Sequence, residues 1–206
     1  MRFLTIFAAF TLTAAAPPPK PITAVPPPPT VKVVLTTALG PITLELERLK
    51  APVTVANFLR YVDQKRFDGI TFYRRSKVPG YPDLGFVQGG TTDPKRVLPP
   101  IAHEPTTQTG LKHVAGAISM ARLAPGTARA DFIIAMSPLA YLDANPAAPG
   151  DNAGNAVFGR VIDGMDVLKS IHNAPVSPTR GDGPMKGEML EPAIKILTAR
   201  RAPPTP

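Results

Sequence analysis

The chain has 206 residues, 27 of them proline, with no cysteine, no tryptophan and a formal charge of +8. That length allows one domain with a real core and excludes two ordinary domains plus a linker, and the missing cysteine excludes a disulfide framework. The basic excess raises nucleic acid as a partner, but Lys and Arg are scattered apart from Lys65-Arg66, Arg74-Arg75-Ser76-Lys77 and Arg200-Arg201, with no aromatic stripe between them; no nucleic acid is expected.

The first element is Met1 to Ala16, which reads as a secretory signal peptide. Arg2 is the positive end, Phe3 to Leu12 the apolar run, and Thr13-Ala14-Ala15-Ala16 the small residues at a cleavage site. A membrane anchor is the alternative, but the run is far short of the roughly 20 residues that span a bilayer, so no stable insertion is expected. The implied address is the periplasm or the extracellular space. Pro17 to Thr30 carries eight prolines in fourteen residues. Fixed φ angles and missing N–H donors make it an extended tether, serving as a spacer or as a ligand for a proline-binding module. A single folded domain is expected over residues 31–200, followed by a short tail at 201–206.

Val31 to Thr37 is a β-branched, strand-like run. Leu39-Gly40-Pro41 turns the chain, and Ile42 to Glu47 alternates apolar and polar residues, so the two runs read as a hairpin. Pro52 suits the first turn of a helix; Val53 to Lys65 has helical spacing, with Val55, Phe58, Leu59 and Val62 on one face. Short strands are expected at 71–75, 85–88, 115–121, 132–136, 156–162 and 193–198. A second helix fits Met165 to His172, with Met165, Leu168 and Ile171 on its apolar face. Two helices among eight short strands imply a mainly β architecture, a closed eight-stranded antiparallel β-barrel capped by two α-helices, with a sandwich as the alternative.

His103, His113 and His172 are far apart and form no metal-ligand spacing, Ser119 lies in no nucleophile elbow, and Gly181-Asp182-Gly183-Pro184 reads as a turn. No metal and no cofactor are expected. Two spans carry more specific information. Phe72-Tyr73-Arg74 precedes Phe86-Val87-Gln88-Gly89-Gly90, with fourteen positions between Arg74 and Gln88. Strand alternation puts Phe72 and Arg74 on one face and Tyr73 on the other, and puts Phe86 and Gln88 on one face. Gly89-Gly90 permits a close backbone approach or a positive φ.

Phe-x-Arg followed by Phe-x-Gln-Gly-Gly resembles the active-site strands of the cyclophilins, which are peptidyl-prolyl cis/trans isomerases. The resemblance runs from about Val31 to Arg200. Gly116-Ala117-Ile118-Ser119-Met120-Ala121 resembles the family's Gly-x-x-Ser-Met-Ala strand, with Arg122 where Asn is usual. Ala130-Asp131-Phe132-Ile133-Ile134 stands at the family's Ser-Gln-Phe-Phe-Ile, Tyr141-Leu142-Asp143 at its Trp-Leu-Asp, and Asn155 to Val161 at its His-x-Val-Phe-Gly-x-Val. The resemblance implies Arg74 and Gln88 as catalytic residues. It implies substrate contacts at Phe72, Phe86, Ala121, Arg122, Asp131, Ile133, Tyr141, Leu142 and Asn155. The proline pocket would be Phe86, Ile133, Tyr141 and Leu142.

The chemistry such a site performs sets what it must contain. Rotation about a peptide bond faces roughly 18–20 kcal/mol of resonance barrier, and no bond breaks. An apolar pocket must grip the proline ring, a donor must favour the deconjugated prolyl nitrogen, and polar groups must hold the moving carbonyl. Arg74, always charged and rigidly forked, is the candidate donor. Ile133 keeps the pocket apolar but lacks a flat ring, and Asp131 is expected to pair with Arg74. Spans 76–85 and 144–154 are longer than the family pattern and would flank the groove, as substrate selectors or as tolerated loops. The expected function is isomerisation of X-Pro bonds during folding of exported proteins, by a monomer acting on proline-containing unfolded or flexible chains. The alternative is a catalytically weak proline-peptide-binding module on the same fold.

Overall fold

A computed structural model describes residues 28–203. The expected signal peptide and most of the expected proline-rich tether lie outside the described residues. Eight strands close into an antiparallel barrel in the order β1-β2-β7-β5-β6-β4-β3-β8. They are β1 (Thr30–Thr37), β2 (Gly40–Glu47), β3 (Thr71–Val78), β4 (Tyr81–Gly90), β5 (Ala117–Met120), β6 (Phe132–Ala135), β7 (Ala156–Asp163) and β8 (Met189–Arg201). Helices α1 (Pro52–Asp63) and α3 (Met165–His172) pack on the barrel, and a single turn, α2 (Thr106–Thr109), was not legible as a helix because TTQT has no apolar period.

Alternation fills the barrel. In β1 and β2, Val33 faces Leu44 and Leu35 faces Ile42, all four fully buried. Helix α1 lays Val55, Phe58, Leu59 and Val62 onto this core. Phe58 is its hub, with ring centroids 5.0 Å from Phe67, 5.7 Å from Phe132 and 5.2 Å from Phe158. Such tilted and edge-on contacts suit the ring quadrupole.

No side chain of its own caps the start of α1. Glu104, nearly fully buried, does so from about fifty residues away. Its carboxylate accepts the N–H groups of Val53 at 3.1 Å and Thr54 at 2.8 Å, and the Thr54 hydroxyl at 2.6 Å. A negative charge on the orphan N–H groups at the positive end of a helix satisfies both the hydrogen-bond and the dipole requirement.

The strand ends depart furthest from expectation in two places. Span 76–85 is not an open loop: β3 and β4 extend into a hairpin, with Lys77 opposite Gly85 and Val78 opposite Tyr81. Pro79-Gly80 and Pro82 hide this, since Pro82 cannot donate to a ladder and falls where the register shifts. Likewise β8 begins at Met189 rather than 193. Pro192 interrupts its apolar pattern, and the pairing with β3 skips from Met189 to Ile194.

Candidate active site

The register of β3 decides where its side chains go. Phe72 pairs with Gly89, whereas Arg74 pairs with Gln88, so Tyr73 is an extra residue in a bulge. Gly89 and Gln88 are consecutive and face opposite sides of β4. Phe72 therefore turns into the barrel, fully buried, with its ring 5.9 Å from that of Phe132. Arg74 turns outward beside Gln88. This corrects the expectation that Phe72 and Arg74 share a face: simple alternation does not survive a bulge, and Phe72 belongs to the core rather than to a groove wall.

Outside the barrel, alternation assembles a second apolar cluster. Phe86 lies opposite Ala135, and Gln88 opposite Ile133. Ile133 lies opposite Ser119, and Ser119 opposite Val157. These share one face, on which Phe86, Ala117, Ile133, Ala135, Leu139 and Val157 are buried together, with Ala121 and Leu142 packed against them. The sequence-predicted Phe86, Ile133, Leu142 and Ala121 are thus brought into one floor. The Ser119 hydroxyl is buried in this floor without a hydrogen-bond partner.

Arg74 lies over that floor. Its Cζ is 5.2 Å from the Phe86 ring centroid, within cation–π range. Nη1 donates to Gln88 Oε1 at 2.9 Å. Nε donates to Glu188 Oε2 at 2.8 Å, and Nη2 stands 2.6 Å from the same oxygen. The Ser76 hydroxyl donates to the other Glu188 oxygen at 2.7 Å. Neither side chain of the ion pair is more than about a quarter exposed, at 16% and 22%.

Asp131 does not pair with Arg74, contrary to expectation. Its Oδ1 accepts the Tyr73 hydroxyl at 3.0 Å. The bulge is the cause, because it points Tyr73 toward Asp131 and Arg74 toward Glu188. Gly90, at φ 147°, makes room for this carboxylate, since a Cβ there would stand 2.3 Å from Asp131 Oδ1. Burial raises the Asp131 carboxyl above the usual range, and the Tyr73 hydrogen bond partly offsets this. The Tyr73 hydroxyl is raised too, first by burial and then by the Asp131 charge.

The remaining predicted residues line the far end. Tyr141 sits on a 3₁₀ turn, Ala140–Leu142, and is 71% exposed, so it rims the floor rather than walling it. Partial burial raises its hydroxyl pKa, with Arg74 pulling it down and Glu188 pushing it up. Arg122 is tied away from open groove: Nε donates to Gly154 O at 2.7 Å, and Nη1 and Nη2 donate to Asp151 at 2.5 and 2.8 Å. These bonds fold span 144–154 against Tyr141, Leu142 and Asn155 around a pocket of about 360 Å³. The Asn155 N–H donates to Leu142 O at 2.9 Å. Among the described residues no group of three His, Cys, Asp or Glu side chains is placed to hold a metal ion.

Glu188 was missed by sequence reasoning. It lies 114 positions from Arg74, in a glycine-rich loop whose only local signal is turn formation, so no spacing could have pointed to it.

Residues 32–200 match the family model described as cyclophilin type peptidyl-prolyl cis-trans isomerase/CLD. The chain belongs to the cyclophilin family. A peptidyl-prolyl cis-trans isomerase of Streptomyces antibioticus is 37% identical over 172 residues, covering 80% of this chain and 98% of that protein. Another, peptidyl-prolyl cis-trans isomerase A of Dickeya dadantii, is 35% identical over 167 residues, covering 79% and 80%. This cyclophilin is accordingly a peptidyl-prolyl isomerase. A solved cyclophilin-type isomerase of Cryptosporidium parvum shares its fold, with a TM-score of 0.65 at 22% identity over 85% of this chain and 99% of that one. The same protein has been solved in the presence of the dipeptide Ala-Pro.

Proposed function

We propose that this cyclophilin isomerises X-Pro bonds in exported polypeptides, and that it does so by electrostatic stabilisation of the twisted amide. The observation that carries the mechanism is the Arg74 guanidinium, anchored beside Gln88 and over Phe86 at the edge of an apolar floor. As the amide twists, the prolyl nitrogen loses conjugation and gains a lone pair. A preorganised cationic donor interacts with that lone pair more strongly than with the planar amide, which is the condition for acceleration. Phe86, Ile133 and Leu142 supply the apolar grip on the proline ring, and the Gln88 amide a partner for the carbonyl. Ala121 completes the floor, and Arg122, Asp131, Tyr141 and Asn155 shape the rim; Arg122 does so by holding span 144–154.

Export is supported by Arg2, the apolar run after it and the small residues at Thr13 to Ala16. The absence of cysteine makes folding independent of the redox state of the compartment. Proline-containing flexible chains are the proposed substrates, and a monomer the proposed state.

The test is an isomerisation assay on a short X-Pro peptide, by coupled proteolysis or NMR exchange, with Arg74→Ala alongside. Acceleration that falls by about 100-fold or more in the variant supports the mechanism. Acceleration that persists in Arg74→Ala overturns it. Peptide binding without acceleration establishes the binding-module alternative. Cell fractionation, with mass spectrometry of the mature N-terminus, tests export; an intact Met1 in the cytoplasm would reject it.

A further inference from the structure

We propose that Glu188 is the positioning residue for Arg74, fixing which edge of the guanidinium faces the groove. A guanidinium on a flexible stem has many rotamers, and its freedom is lost only when both ends of the fork are held. Here Glu188 Oε2 takes the Nε and Nη2 edge at 2.8 and 2.6 Å, and Gln88 Oε1 takes Nη1 at 2.9 Å. The Phe86 ring supports the plane from one side. Two in-plane anchors and one face leave the guanidinium a single orientation.

Glu188 is itself held. Ser76 Oγ donates to its second oxygen at 2.7 Å, and the Glu188 carbonyl accepts the Arg75 N–H at 3.0 Å. Glu188 is thereby anchored, by backbone and by side chain, to the two residues of β3 that follow the catalytic candidate. The arrangement repeats the logic of a base oriented by a buried carboxylate, applied to an electrostatic donor. The anchor has an opposing effect, because a carboxylate within hydrogen-bond distance offsets part of the positive charge offered to substrate. Orientation dominates, since the cation keeps its full charge while an unrestrained donor must be ordered again at every turnover.

The proposal deepens the isomerase reading and rests on it only for the kinetic arm. Glu188→Ala, Glu188→Gln and Ser76→Ala are compared with the parent protein in steady-state isomerisation and in thermal unfolding. Glu188→Ala is expected to lower kcat about tenfold or more while KM changes less than about threefold. Glu188→Gln, which can still accept from Nε, should recover a large part of the loss, and Ser76→Ala should fall between. An unchanged kcat, or a rise as Arg74 is released, overturns the proposal; so does a loss that merely tracks a fall in Tm. The second measurement is the side-chain Nε–H resonance of Arg74 by NMR, assigned with Arg74→Lys. It should be protected from exchange in the parent and exposed in Glu188→Ala. Equal protection in both would overturn the positioning role even if the parent shows no isomerase activity, which would instead defeat the functional reading alone.

Discussion

At the scale of single residues, Tyr73 and Asp131 carry the clearest prediction. Burial raises the Asp131 carboxyl, so the folded state holds its proton to higher pH than the unfolded chain does. The sign follows from linkage: above the unfolded carboxylate range the native state is the one that binds more protons, and stability falls as pH rises toward the folded value. At pH 7 the ionised form is a net cost. Asp131→Asn keeps an oxygen to accept from Tyr73 and removes the charge, and should raise stability at pH 7 by roughly 1 kcal/mol, or about 3 °C in Tm. Tyr73→Phe removes the donor instead and should cost about 1–3 kcal/mol at pH 7. The double variant should recover much of that loss; additive effects in chemical denaturation would show that the two side chains are not coupled. This pair also marks where the sequence stops being legible. Phe86, Gln88 and Ile133 follow from motif and alternation, and Arg74 from motif alone, since the bulge defeats alternation there. The partners of Arg74 and Asp131 follow from neither, because both depend on one inserted residue in β3, and a bulge leaves no mark in composition.

At the scale of elements, local pattern reported well wherever an element is stabilised by its own face. Helix α3 occupies the residues its spacing indicates, and α1 starts at the proline that suits its first turn. What the pattern could not show is the remote support. Glu104→Ala removes the cap of α1 and leaves the Val53 and Thr54 N–H groups unpaired; it should cost about 2–3 kcal/mol. Glu104→Gln, losing the charge alone, should cost about 1 kcal/mol. Both should keep the parent kcat per folded molecule, since α1 lies on the barrel core; a matched loss of kcat without loss of stability would contradict that separation. Span 144–154 stands out as longer than the family pattern and rich in Pro, Gly, Asn and Asp, but its fixed conformation does not. That conformation depends on Arg122, whose side chain is only 6% exposed, and on Gly154 at φ +62°, where a Cβ would meet Ala144 N at 2.4 Å. Asp151→Ala releases one of these ties. Limited proteolysis should then cut within 145–153 several-fold faster, while the midpoint of global unfolding stays where it is in the parent protein. Uniform protection would mean that Gly154 and the Asn145–Asn152 pairing suffice.

At the scale of the whole molecule, the barrel closes through pairings that the order of elements alone does not give. β1 meets β8, and β4 lies between β3 and β6. A mainly β domain with capped ends follows from eight strands and two helices, but the closing register follows from burial of every inward side chain at once. This closure also buries two histidines that join distant parts of the chain. His113 Nδ1 is 2.7 Å from Asp143 Oδ1, beside Lys112, and ties the approach to β5 to the turn bearing Tyr141. His172 Nε2 is 3.0 Å from Ser76 O, near Lys77 and Arg75, and ties the end of α3 to β3. Burial lowers both pKa values; Asp143 opposes this at His113, and the Ser76 carbonyl at His172. Between the folded values and the ordinary value near 6.5, the unfolded chain therefore binds more protons. Stability should be fully present above that range and fall as pH drops through it, with a slope of up to about 1.4 kcal/mol per pH unit for each histidine. The ion-paired Asp63 and Asp68 are held below the usual carboxylate range by Arg201 and Arg200, so their contribution is lost only at lower pH. Asp131 acts in the opposite sense. Urea unfolding of the Asp131→Asn protein from pH 7.5 to 5.0 isolates the histidines, and its midpoint should fall steadily below pH 6.5. His113→Gln and His172→Gln should each flatten that dependence whatever they do to stability at pH 7.5. A slope unchanged by either substitution would assign acid sensitivity to carboxylates and to the self-repulsion of a chain with a formal charge of +8.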